Sequence, residues 1–301
     1  MLRPFELHRP STVAEAVDLL TQFGDDAAIY AGGTELLLLL KEGLLRVGHL
    51  VDVKRIAGLD SIALEDGWLS LGATATHRVV ERSPLLRRVC PMLAGAAQHV
   101  ANVRVRNVGT VGGNLAFADP HSDVATLLLA LEGVVRVTSG RGIRELPIGG
   151  FLRGAYETAR EPDEILTAVR FRPWTPSWSS AYVKFGLHER PTLGIATAVD
   201  VDDAGAIREA RVSVGCVGPT PVRCGAAEER LRGCGVQDLL DDPREAGTLA
   251  AGAVDPVSDL HGSADYKREM VAVFARRALR IAAARSLGRP AEERYRHAVV
   301  A

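Results

Sequence analysis

Thr110-Val111-Gly112-Gly113-Asn114-Leu115, followed two residues later by Ala118-Asp119-Pro120-His121-Ser122-Asp123, has an upstream counterpart in Ala31-Gly32-Gly33-Thr34-Glu35-Leu36. The upstream glycine pair stands between an apolar strand, Ala27 to Tyr30, and an apolar helix start, Leu36 to Leu40. Lacking Cβ atoms, Gly32 and Gly33 let successive backbone N–H groups point at one anion, and a following helix start adds partial positive charge. Two readings stand for that segment: a tight strand-to-helix turn, or a cradle for a pyrophosphate. In the downstream segment a hydroxyl, two glycines and an amide precede two carboxylates, a set suited to phosphate, ribose and adenine edges. Asp119 and Asp123 equally suit the cap of a helix starting near Val124. Neither segment is a G-x-G-x-x-G or G-x-x-x-x-G-K-[ST] signature, so a Rossmann domain and a P-loop are poorly supported. No G-x-S-x-G or H-E-x-x-H occurs, which removes the simplest hydrolase chemistries.

Outward from these segments the chain alternates helical and strand patterns. Ser11 or Thr12 can cap a helix whose apolar positions run from Val13 to Leu20. Leu50 to Val53 and Leu69 to Ala73 have strand length, Leu86 to Val100 reads as a helix, and Val108 to Gly113 as a glycine-punctuated turn. Val124 to Leu131 is an apolar helix or strand, and Val134 to Thr138 and Ile165 to Phe171 are strands. The stretch RPWTPSWSS, with two prolines and several serines, continues neither a helix nor a central strand, which puts a domain join near Pro176. Beyond it, Ala181 to Phe185, Ile195 to Val201 and Ala210 to Val217 read as strands of one sheet, and Ala226 to Leu231 and Tyr266 to Ala284 as helices. The expected division is residues 1–175, 176–290 and a polar, frayed tail at 291–301.

The 301 residues suit two domains, and 47% hydrophobic with 24% charged residues describes a globular chain. A formal charge of -1 gives no pull toward nucleic acid. The longest apolar runs fall short of the ~20 residues that cross a bilayer, and the first residues have no secretory signal pattern, so a cytoplasmic location is expected. Cys90, Cys216, Cys224 and Cys234 lack metal-ligand spacing and read as ordinary thiols. His8, His77, His99, His121 and His188 are scattered, so no metal site is expected, although His121 lies inside the second glycine segment. Arg104 and Arg106 suit a phosphate, a neighbouring subunit or a solvated strand end, and Trp174 and Trp178 suit packing between domains.

Taken together, Ala31 to Leu36 and Val105 to Leu115 with Asp119 and Asp123 resemble the two flavin-binding signatures of the medium subunits of the xanthine dehydrogenase and carbon monoxide dehydrogenase family, the molybdenum hydroxylases. Gly154-Ala155-Tyr156, Glu164-Ile165-Leu166, Tyr182 to Phe185 and Asp265-Tyr266-Lys267 resemble later landmarks of that family in order and spacing. The resemblance implies an α+β chain: a two-part α/β FAD-binding domain, then a smaller α+β flavoprotein C-terminal domain. It implies FAD as cofactor, with Gly32, Gly33, Thr34 and Glu35 at the pyrophosphate and Ala28, Ile29, Tyr30, Ala31 and Leu36 beside them. Thr110, Val111, Gly112, Gly113 and Asn114 complete the phosphate and ribose contacts, with Asp119 in the same loop. Asp123 holds the adenosine end, Leu166 packs on the cofactor, Lys184 approaches from the second domain, and Val100 matches a contact that is aromatic in some relatives.

The resemblance further implies a large subunit carrying a molybdenum cofactor, a small subunit carrying two iron-sulfur clusters, and an external electron acceptor such as NAD or a quinone. No cysteine-rich insert follows the second glycine segment, so no iron-sulfur cluster is expected on this chain. No general acid or base is expected either, because the flavin carries the redox chemistry. Two rivals remain at this level, a self-sufficient flavin oxidoreductase and a non-catalytic nucleotide-binding assembly module.

Overall fold

The computed structural model describes residues 3–186, 190–289, 295 and 297–301. Three short strands, β1 (Glu6–His8), β2 (Ala27–Tyr30) and β3 (His49–Asp52), form a parallel sheet in the order β1-β3-β2. The helix Val13–Phe23 links the first two; Thr12 caps it by accepting the Glu15 N–H, and it buries Ala16, Val17 and Leu20 on the same core as Val51.

A second unit follows, built on β4 (Ile62–Glu65), β5 (Trp68–Gly72), β6 (Val134–Ser139) and β7 (Gly142–Pro147), with a small hairpin of β8 (Leu152–Gly154) and β9 (Glu157–Thr158) and then β10 (Ile165–Phe171). Its main sheet is antiparallel, ordered β4-β5-β10-β6-β7. Short helices at Pro84–Val89 and Pro91–Ala97 join its buried core where the sequence suggested one helix from Leu86 to Val100. Pro91 explains the break, since it has no N–H to continue the ladder, and Cys90 before it sits at φ -152.

The third sheet holds β11 (Trp178–Phe185), β12 (Leu193–Val201), β13 (Ile207–Gly215), β14 (Val222–Arg223) and β15 (Ala298–Val300), ordered β14-β13-β12-β11-β15. The long helix Ala264–Ser286 covers one face, burying Val271, Phe274, Ala278, Leu279 and Ala282. The helix Asp123–Ala130, which belongs to the first part of the chain, packs against β12 and β13. That double contact explains why Val124 to Leu131 is apolar with no polar face: the segment is a helix buried all round. Ser213 Oγ donates to the Thr126 carbonyl at 2.8 Å, and a Cβ on Gly215 would collide with Thr126 Oγ1. Tyr182 and Ala196 accordingly belong to the same buried cluster as the β5/β10 core.

The frayed tail is a correction. Val183 pairs with Val300 and Phe185 with Ala298, and Arg285 donates to the Ser180 and Ala301 carbonyls, so Ala298–Val300 closes the β11 edge. A polar run with one short apolar end, Ala298-Val299-Val300, carries too little local pattern to announce a strand that forms only by pairing. Residues 290–294 and 296 of the expected tail lie outside the described residues.

Candidate functional site

The parallel sheet delivers Ala31 to Glu35 from the end of β2. Gly33 holds φ +71, a left-handed backbone, and its missing side chain leaves room for the Tyr30 ring. A Cβ on Gly32 would collide with the Val108 carbonyl oxygen and stand 2.9 Å from Gly109 Cα. The two glycine segments, far apart in sequence, are therefore in direct backbone contact. Among the described residues, no group accepts a hydrogen bond from the N–H of Gly32, Gly33, Thr34 or Glu35. Four consecutive uncommitted donors at a partly exposed turn supply the chemistry that an anion-binding concavity requires.

Lys54, which sequence reasoning missed, sharpens that concavity. Its ammonium donates to the Ala31 carbonyl at 3.2 Å, pairs with Asp52 at 2.9 Å and lies 3.5 Å from the centre of the Tyr30 ring. It both pins the turn and sets a positive charge beside it. Arg190 is a second missed cation, 3.7 Å from the Glu35 carboxylate and 3.1 Å from that of Asp119, so it ties the first turn to the loop after the second. Burial and the nearby Asp119 raise the Glu35 pKa, and Arg190 counteracts them. Burial works against the Asp119 carboxylate too, but hydrogen bonds from His121 and the charge of Arg190 outweigh it and lower its pKa. No signal short of tertiary structure marks Lys54 or Arg190 among the chain's other basic residues.

The second segment differs from the expected turn: it is the first turn of the helix Val111–Phe117, capped by Thr110, whose hydroxyl accepts the Gly113 N–H at 3.1 Å. The Val111 and Gly112 N–H groups donate to the Ala75 and Ala73 carbonyls, both at 2.9 Å. A Cβ on Gly112 would stand 2.6 Å from that of Ala73, so this glycine lets the helix lie directly on the strand end. Gly113 is exposed and Asn114 half-buried, with Asn114 Oδ1 taken by the Ser122 hydroxyl at 2.6 Å. The donors left to a ligand in this segment are thus on side chains. Ser122, and neither aspartate, caps the following helix by accepting the Ala125 N–H; Asp123 is its first residue.

Asp123 and Lys184 meet each other at the interface of the two domains. Asp123 accepts from the Tyr182 hydroxyl at 2.6 Å and from Lys184 Nζ at 2.8 Å, and Lys184 donates again to the His99 carbonyl at 2.9 Å. All three side chains are buried. Burial and the Asp123 carboxylate push the Tyr182 hydroxyl pKa well above its usual value, which keeps it a donor. Val100, next to His99, and Leu166, on β10, are buried in the adjoining core. Trp174 and Trp178 stack at 5.2 Å, Trp174 against the buried core of the first part of the chain and Trp178 at the start of β11, as the packing reading expected.

Histidines that look scattered along the chain pair in space. His121 Nδ1 lies 3.5 Å from Asp119 and its ring 4.7 Å from that of His261, while His8 meets His49. His188 lies outside the described residues. Arg106 donates to the Val100 and Ala101 carbonyls, a role in loop packing and not at a solvated strand end. Burial pushes the thiols of Cys90 and Cys224 up to about 12, and that of Cys216 well above its usual value, so none is a ready nucleophile.

His77 has its N–H on the Gly109 carbonyl at 3.0 Å and is buried against the second segment. Burial, with Arg106 nearby, lowers its pKa from 6.5 to about 4. The unfolded chain therefore takes a proton on His77 below pH 6.5 that the folded chain refuses until about pH 4. Its contribution is full above pH 6.5 and is lost as the pH falls through this window. Between pH 7 and pH 5 this one group is expected to remove about 2 kcal/mol of stability. Urea midpoints at the two pH values should differ less in His77→Gln than in the parent; an equal difference would refute the assignment.

The family described as the FAD binding domain in molybdopterin dehydrogenase matches residues 3–174, and the CO dehydrogenase flavoprotein C-terminal domain matches residues 188–282. The carbon monoxide dehydrogenase medium chain of Hydrogenophaga pseudoflava is 34% identical over 286 residues, covering 93% of this chain and 98% of that one. The xanthine dehydrogenase FAD-binding subunit of Escherichia coli O157:H7 is 35% identical over 227 residues, covering 74% of this chain and 77% of that one. Among solved structures, carbon monoxide dehydrogenase from Hydrogenophaga pseudoflava, in a form lacking the Mo-pyranopterin moiety of its molybdenum cofactor, superposes with a TM-score of 0.89 at 34% identity, covering 95% of this chain and 99% of that chain. Quinoline 2-oxidoreductase from Pseudomonas putida 86 gives 0.88 at 27% identity, with coverage of 95% and 99%.

Proposed function

The chain belongs to the FAD-binding family of the molybdopterin dehydrogenases, and from that premise we propose that it is the electron-exit subunit of a three-subunit molybdenum hydroxylase. Substrate is oxidised at a molybdenum cofactor on a large partner, and a small partner with two iron-sulfur clusters hands electrons to this chain. FAD, when bound, supplies the junction between one-electron donors and a two-electron acceptor. The chain's own residues position it. The run of free N–H groups from Gly32 to Glu35 holds the pyrophosphate, and Lys54 offsets its charge. The side chains of Thr110, Asn114 and Asp119 serve the phosphate and ribose side, the exposed Gly113 leaves room for the ligand to approach, and Ala28 to Ala31 and Leu36 frame the turn. Asp123 and Lys184 hold the second domain against the first at the cofactor's far end, with Val100 and Leu166 packed behind them.

The observation that carries this reading is the contact of the two glycine segments beside a row of N–H donors that no group among the described residues accepts from. The partner assignment is supported by the names of the relatives, a medium chain and an FAD-binding subunit, and by the surface near the turns. Leu38 and Leu44 after the first turn, and Val103 and Val108 before the second, expose apolar area where a donor subunit would dock. Among the described residues no helix is long and apolar enough to cross a membrane, which accords with a cytoplasmic complex.

The deciding experiment is a visible absorption spectrum of the protein purified with its native partner chains, with cofactor and metals identified chain by chain. FAD on this chain with molybdenum and iron on two others is the expected result. FAD on a lone chain that turns over substrate would favour the self-sufficient oxidoreductase, and a chain that takes up no flavin even when FAD is supplied would overturn the proposal.

A further inference from the structure

Glu6, His8 and His49 share one corner of the first sheet because the parallel register sets Glu6 beside His49 and His8 beside Val51. His8 Nε2 stands 2.9 Å from His49 Nδ1. The Glu6 carboxylate comes within 3.8 Å of His49 Nδ1 and 3.9 Å of His8 Nδ1. One ligand atom from each residue lies within 4.8 Å of the others. A tetrahedral ion with bonds of about 2.0–2.2 Å keeps its ligand atoms about 3.3–3.6 Å apart. Of the atoms that would bind, His8 Nε2 and His49 Nδ1 stand somewhat closer than that value and the Glu6 carboxylate somewhat farther from His49 Nδ1, so a small separation of the rings and a turn of the exposed Glu6 side chain toward His8 Nε2 close the set.

The surroundings hold the two rings for this task. Phe23 stacks on His49 at 3.7 Å between centroids and on His8 at 5.1 Å. Asp26 is anchored by the Gly48 N–H at 2.7 Å, and its other oxygen lies 3.9 Å from His49 Nε2. A carboxylate behind the distal nitrogen favours a proton there, which frees Nδ1 as a lone pair, the arrangement typical of metal-bound imidazoles. His8, with its proton on Nδ1, then presents Nε2 to the same point. The histidines are 16% and 20% exposed and Glu6 68%, so an ion can enter from solvent and keep water in a fourth position.

We propose that Glu6, His8 and His49 bind one divalent transition metal ion of the zinc class. Two imidazoles and one carboxylate suit zinc and disfavour magnesium or calcium, which take oxygen ligands. The site lies at the Ala27 and His49 end of the sheet, whereas the glycine turn leaves from the Tyr30 and Asp52 end. The ion is therefore structural, fastening β1 to β3.

The test is zinc titration of the chelator-treated, tag-free, FAD-loaded full chain, by calorimetry and by equilibrium dialysis with metal analysis. One zinc per chain with micromolar or tighter affinity is expected, weakened at least tenfold in His8→Ala and in His49→Ala and severalfold in Glu6→Gln, all with unchanged flavin content. Glu6→Gln alters an exposed side chain, so it remains informative if a histidine variant does not fold. Amide exchange over residues 5–8 should slow on adding zinc. Absence of stoichiometric binding would overturn the proposal, as would binding that survives Glu6→Gln and His8→Ala or that is lost in His121→Ala.

Discussion

Gly32→Ala is expected to abolish stable FAD binding while leaving the chain folded. The added methyl group would enter the Val108 carbonyl oxygen and stand 2.9 Å from Gly109 Cα, and both are backbone atoms that cannot rotate away. Relief requires the two glycine segments to part, which costs about 1–3 kcal/mol as overpacking and misaligns the free N–H row. Pyrophosphate recognition by four consecutive N–H groups depends on their common aim, so the loss falls on binding more than on folding. The flavin-to-protein absorbance ratio should drop at least tenfold, with the far-UV circular dichroism unchanged. Gly140→Ala is the control, because a Cβ there meets nothing within 4 Å. A Gly32→Ala protein that keeps full flavin would show that close approach of the segments is dispensable.

The first glycine turn was legible in the sequence because its signal is local: a glycine pair between an apolar strand and an apolar helix describes one backbone shape. β10 shows the same legibility, its seven residues Ile165–Phe171 standing out as a β-branched and aromatic run. The misreadings have physical causes. Gly112 and Gly113 have poor helix propensity, so a turn was expected; the Thr110 cap and the seat on Ala73 override that preference. The meeting of His8 and His49 is likewise absent from spacing along the chain, because parallel strand pairing joins them across 41 residues. Lys54 was invisible for a related reason, since its contact with the Ala31 carbonyl spans 23 residues. Charged partners across such separations leave no periodicity to read.

The Asp123 and Lys184 pair is the other place where a large effect is expected, and it revises what loss of the lysine does. Seen from the sequence, Lys184 is a residue that approaches the cofactor from the second domain. In the structure it is a buried ammonium that joins β11 to the helix Asp123–Ala130 and to the His99 carbonyl. Lys184→Ala leaves the Asp123 carboxylate buried with, among the described residues, Tyr182 as its one remaining hydrogen-bond partner, and breaking a buried pair on one side costs roughly 3–5 kcal/mol. Asp123→Ala strands the ammonium and is expected to cost a similar amount. The double replacement removes both charges, so it should be less destabilising than the sum of the singles by about 1–3 kcal/mol. Denaturant unfolding of the four proteins measures this coupling, and flavin affinity read in parallel separates the two roles of the pair. If the junction merely fastens the domains, flavin affinity recovers in the double variant along with stability. If Asp123 also touches the adenosine end, stability recovers while affinity stays low. Simple additivity would mean that the pair contributes no energetic coupling between the domains.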